Sequence, residues 1–102
     1  MREKLPLLLL VLLLLGRCLL RLGEATAALE RFEQTVALAP DHLEAWLGSA
    51  HARLSNGDVS GAIRAYRHVL TLWPDHVDAL LGLGASLARA GEIDESVAAM
   101  DR

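Results

Sequence analysis

Four histidines, one cysteine and a late cluster of acids are the residues here whose types and spacing could do chemistry. Imidazoles bind a metal when several converge on one ion, usually with thiolate or carboxylate help. His42 and His76 do not converge. They close the tripeptides Pro40-Asp41-His42 and Pro74-Asp75-His76, one motif repeated at a step of about 34 residues. His51 and His68 fall on different helices, and no Cys or carboxylate cluster stands at ligand spacing to complete a shell. Solvated or capping histidines are therefore expected, and no metal. Cys18 is the only cysteine, which excludes an internal disulfide and a cysteine-based zinc site. Arg17 and Arg21 are near it, but no helix N-terminus is, so it reads as a small packed thiol. Glu92, Asp94 and Glu95 resemble paired carboxylates, yet acids collect at a helix N-terminus for its dipole alone. Gly82-Leu83-Gly84 has no third glycine at dinucleotide spacing and lies within a helical pattern. No catalytic constellation and no cofactor site emerge, and the chain is read as a non-enzyme.

The elements that would position these residues follow from composition and period. The 102 residues suffice for one compact domain or about three short repeats. Hydrophobic residues make up 53%, an excess that is local, because 12 of the 23 leucines fall in the first 22 residues. That stretch is basic and the rest is acidic. The formal charge of -3 offers no basic field to a phosphate backbone, so nucleic acid is not an expected partner.

Met1-Arg2-Glu3-Lys4 followed by the apolar run Leu5–Leu15 has the outline of a secretory signal. The run is too short to cross a membrane, and extension to Leu22 would bury Arg17 and Arg21. The competing reading is a repeat helix. Leu12, Leu15, Gly16 and Leu19 stand one period before Trp46, Ser49, Ala50 and Arg53, and two before Leu80, Leu83, Gly84 and Leu87. Gly23 keeps the same step to Gly57. A signal has no reason to hold that register, so the repeat helix is preferred.

From there the pattern predicts helix, turn, helix, turn. A helix over Ala25–Leu38 ends at Pro40, which lacks an amide and crowds the preceding turn. Asp41, with Glu44 three residues on, is expected to cap the next helix, and Asp75 with Asp78 the one after. The helix after Asp41 runs to about Leu54 and stops at Ser55-Asn56-Gly57, where glycine can turn left-handed. Asp58 caps a helix over about Val59–Leu72, and a last pair is expected over Val77–Arg89 and, after Gly91, from Ile93 onward.

Helix pairs at this period, with these recurring residues, resemble the tetratricopeptide repeat family. Trp46 leads the best copy, and Leu83-Gly84 supplies a Leu-Gly pair that Ser49-Ala50 replaces in the middle. Ala28, Phe32 and Pro40 match the pattern's Ala, Phe and Pro, and Ala62, Tyr66 and Pro74 match it again. Ser96 and Met100 fit more loosely, and no closing proline follows them. The resemblance implies an all-α, right-handed solenoid of antiparallel helix pairs. It would hold a lead over 1–8, units over 9–42 and 43–76, and a third, incomplete unit over 77–102. Gly16, Ala50 and Gly84 would be small where paired helices approach, and Phe32, Tyr66 and Met100 would fill the space between pairs. Trp46 would be buried, and apolar residues of the last unit, Leu87 and Val97 among them, would lack a covering neighbour.

In the resembled family the first helix of each pair lines a concave groove that takes segments of partner proteins. Carried onto this chain, the groove residues are Arg17, Glu44, Leu47, His51, Leu54, Asp78, Leu81 and Arg89, apolar at the centre with charge at the edges. Family members that grip the carboxyl tails of chaperones need Lys, Asn and Arg where Leu13, Arg17, Gly48, Asp78 and Gly82 stand, so that partner class is not expected. The expected function is a non-catalytic scaffold for a protein or peptide segment, located in the cytoplasm. The alternatives are the repeat portion of a larger enzyme, or an assembly factor exported or tethered through Leu5–Leu22. Self-association through uncapped ends and fraying over 93–102 are also expected.

Overall fold

A computed structural model describes residues 4–100, with side chains described for 4–92. It contains five helices: α1 Lys4–Arg21, α2 Ala25–Leu38, α3 Leu43–Ser55, α4 Val59–Leu72 and α5 Val77–Met100. Each helix packs on the next, with weaker α1–α3 and α3–α5 contacts, and the molecule measures 61 × 29 × 18 Å. Short turns between packed neighbours make them antiparallel. The odd-numbered helices therefore run parallel along one face, and α2 and α4 back them. This is a helical solenoid of about three units.

Two kinds of turn build it. Between α1 and α2, and between α3 and α4, Gly23 and Gly57 take φ of 82° and 83°, a region closed to most side chains. Asp58 then accepts the Gly61 amide at 3.0 Å and an Arg53 N–H at 3.2 Å, which starts α4. The Gly61 bond first, and Arg53 after it, hold the Asp58 carboxyl below its usual range. The second kind of turn runs through Pro40 and Pro74. There the expected caps move by one residue: His42 and His76, not Asp41 and Asp75, accept the amides of Ala45 and Ala79 through Nδ1, each at 3.3 Å. The helices begin at Leu43 and Val77, which leaves the histidine at the position whose side chain faces the free amides.

The core is divided by the repeat. Phe32 is fully buried, and a Cβ added at Gly16 would stand 2.8 Å from its ring; one added at Gly48 would also strike it. Leu13, Ala28 and Ala52 complete that cluster. One repeat on, Tyr66 is buried with Ala50, Ala62, Ala65, Val69 and Ala79, and its ring lies against Gly82. Large ring against glycine is thus the packing rule at both junctions.

Four expectations are corrected. Val77–Arg89 and the segment after Gly91 do not form two helices; α5 is continuous from Val77 to Met100. Gly91 does not take the positive φ of Gly23 and Gly57. Among the described residues no later helix sandwiches that segment as α3 and α5 sandwich α4. Consequently Gly84 meets no partner helix, and a Cβ there would touch nothing within 4 Å. Trp46 is half-buried rather than buried, because its Nε1–H reaches out to the Pro40 carbonyl at 2.6 Å and its ring stacks on His68. Cys18 is exposed rather than packed, since the α1 face that meets α2 is the one carrying Gly16. Leu87 is 44% exposed. Val97, Ser96 and Met100 have side chains outside the described residues, as does the expected fraying over 93–102.

Candidate functional site

The parallel run of α1, α3 and α5 forms the face that carries the candidate site. Side chains from all three bound a groove of about 440 Å³. Leu20, Leu43 and Leu47 line it together with the edge of Phe32 and the bare backbone of Gly48. Arg17 and Arg21 enter from the last turns of α1, Glu44 from the first turn of α3 and Asp78 from the first turn of α5. A second, more apolar cleft of about 600 Å³ adjoins it, formed by Pro6, Leu9, Leu10, Leu13 and His42, and shares Leu43 and Glu44.

The charges sit where the helices favour them. Acids are stabilised at helix N-termini and cations at C-termini. Because α1, α3 and α5 run parallel, the acids gather on one long edge of the groove and the arginines on the other. Among the described residues none of Arg17, Arg21, Glu44 and Asp78 has an ion-pair partner; the pairs formed are Arg31–Glu30, Arg53–Glu33 and Arg53–Asp58.

His51 links groove and core. Its Nδ1 lies 2.6 Å from the Tyr66 hydroxyl, and the rings meet edge to face at 5.5 Å. Burial pushes the Tyr66 phenol up to about 12. Burial also lowers the His51 pKa, against a smaller raising effect of Asp78. The hydrogen bond between the two satisfies the buried hydroxyl, the phenol donating where the imidazole leaves Nδ1 unprotonated.

Of the eight residues proposed from sequence, the groove brings together Arg17, Glu44, Leu47, His51 and Asp78. Leu54, Leu81 and Arg89 lie elsewhere. Arg89 donates to the Leu54 carbonyl at 3.0 Å, and Leu81 is 67% exposed on α5. Beyond those eight the groove adds Leu20, Arg21, Phe32, Leu43, Gly48 and His76. For Leu43 and His76 the signal was available: both stand at the start of a first helix, near Glu44 and Asp78.

The tetratricopeptide repeat model matches residues 13–67 and again 48–102. The two overlapping matches together span residues 13–102, most of the chain. The chain belongs to the tetratricopeptide repeat family. No curated protein matched it. Tetratricopeptide repeats generally mediate protein–protein interaction and are typically non-catalytic scaffolds. Among the described residues of this tetratricopeptide repeat chain, no group of three His, Cys, Asp or Glu could hold a metal ion. No described helix is long and apolar enough to cross a membrane.

Proposed function

We infer that the chain is a scaffold whose concave groove holds a segment of a partner protein. The observation that carries this is the pairing of an apolar floor with four charged groove residues that lack an ion-pair partner among the described residues. Charges left open beside an apolar surface are the ingredients of a recognition site, where a few buried anchors supply most of the energy. The arginines, glutamate and aspartate are all exposed, so they contribute little to stability where they stand. The cytoplasm is the compartment we propose for such a scaffold.

The test uses a random peptide library displayed on phage, selected against the 102-residue chain. Recovered peptides are then measured against Leu47→Ser and against the combined Arg17→Ala, Glu44→Ala and Asp78→Ala variant. Binding lost in both variants, with helicity and melting unchanged in the triple variant, supports the groove. Peptides that bind all three proteins equally overturn it.

A further inference from the structure

The register of the charges says more than that a segment binds. Glu44 and Asp78 are one period apart, at the same position on successive first helices. Arg17 stands one period before His51, two turns further along its helix than the Glu44 position. Seven residues of helix span about 10 Å, and neighbouring helix axes lie about 8–10 Å apart. Glu44 and Arg17 are therefore separated diagonally by roughly 14 Å, with Leu20, Leu43 and Leu47 lining the groove beside them. An extended chain covers that distance in about four residues, and its residues i, i+2 and i+4 all face the same way.

We propose that the groove selects an extended protein segment of mixed charge: an acidic side chain against Arg17 and Arg21, a basic one against Glu44 and Asp78, and an apolar one between them. The proposal rests on the groove reading above and specifies its ligand. Charge complementarity is what favours this occupant. A uniformly acidic segment would meet Glu44 and Asp78 with like charge, and a uniformly basic one would meet the arginines. Like-charge juxtaposition in an interface penalises wrong partners more than opposite charge rewards the right one. Both signs are therefore read, and each at its own edge.

The experiment measures fluorescence anisotropy with four capped, labelled peptides built on Ser-X-Ser-Leu-Ser-Z-Ser. X and Z are Asp and Lys, Asp and Asp, Lys and Lys, or Ser and Ser. At low salt the Asp/Lys peptide is expected to bind the wild-type chain about tenfold more tightly than either like-charged peptide, a preference that high salt erodes. In Arg17→Glu with Arg21→Glu the preference should move to the Lys/Lys peptide. In Glu44→Lys with Asp78→Lys it should move to the Asp/Asp peptide. All four side chains are exposed, and circular dichroism verifies that the helices persist. If the four peptides bind alike and only Leu47→Ser abolishes binding, charge selection is overturned while the groove reading stands. If none binds, and library peptides ignore the groove variants too, both are overturned. Pairing of two copies of the chain through this face, read as a dimer that the charge reversals dissolve, would also overturn the proposal.

Discussion

The two ring-filled junctions of this solenoid occupy one register position and are built differently. Phe32 and Tyr66 stand one period apart and are both fully buried. Phe32 is held between Gly16 of its own pair and Gly48 of the next, a dry contact of ring on backbone. Tyr66 lies on Gly82, but its hydroxyl has to be satisfied, and His51 does so from the groove side. The first repeat has Arg17 where the second has His51. So the first junction leaves its groove position free to carry an unpaired charge, and the second uses it to complete the core. A repeat register fixes where a residue goes; the hydroxyl of one ring decides what its neighbour is for.

The largest expected effect is at the drier junction. Phe32→Ala should cost about 3–5 kcal/mol in urea unfolding, because the glycines around the ring offer no side chain to collapse into the space. A loss of less than about 1 kcal/mol would mean that the junction is not where the first two pairs are joined.

Glycine substitutions sharpen the contrast between a glycine packed on a ring and one that, among the described residues, meets nothing. Gly48→Ala drives a methyl into the Phe32 ring and should destabilise by about 1–3 kcal/mol. Gly84→Ala meets nothing within 4 Å and should stabilise by up to about 1 kcal/mol, the helix preference for alanine. Equal effects at the two sites would erase the distinction between the middle of the array and α5.

The turns differ in the same way. Asp58 caps α4, whereas Glu24 makes no side-chain bond at the start of α2. Asp58→Ala should cost about 1 kcal/mol in the same assay, and Glu24→Ala less than about 0.5 kcal/mol. The Asp58 contribution is complete above its ordinary carboxylate range and is lost as pH falls through the depressed folded value.

The smallest effect tests the polar junction directly. His51 has a folded pKa below its ordinary 6.5, so the folded state binds fewer protons near that value. Its contribution is complete above 6.5 and falls as pH drops from there through the lowered folded value. Tyr66→Phe should cost about 1 kcal/mol at neutral pH, while the fall in stability below 6.5, which burial of His51 causes, should persist in the variant. A Tyr66→Phe variant as stable as the wild type would sever the link drawn between His51 and the core.

Much of the fold was legible because it is periodic. Gly23 and Gly57 mark the closing turns, Pro40 and Pro74 the breaks, and Phe32 and Tyr66 the junctions, each by residue type alone. The cap at Asp58 was legible, but those after Pro40 and Pro74 were misread by one place, since Asp and His are adjacent and both accept hydrogen bonds. Gly91 was misread because a glycine permits a turn without requiring one. In the site, Arg17, Glu44, Leu47, His51 and Asp78 were reachable from register. Leu54, Leu81 and Arg89 share that register yet stand apart from the groove, which register alone cannot distinguish.

By itself the sequence determined the repeat, the helices through α4 and the ring positions Phe32 and Tyr66, because these depend on local preference and on a spacing that recurs. Only the tertiary structure decided that α5 runs on through Gly91, that Tyr66 claims His51, and that acids and arginines of separate helices bound one groove. Those outcomes depend on which surfaces meet across the pairs. The parallel stacking of α1, α3 and α5 aligns helix ends whose charges are far apart along the chain, and that alignment exists only once the pairs are packed.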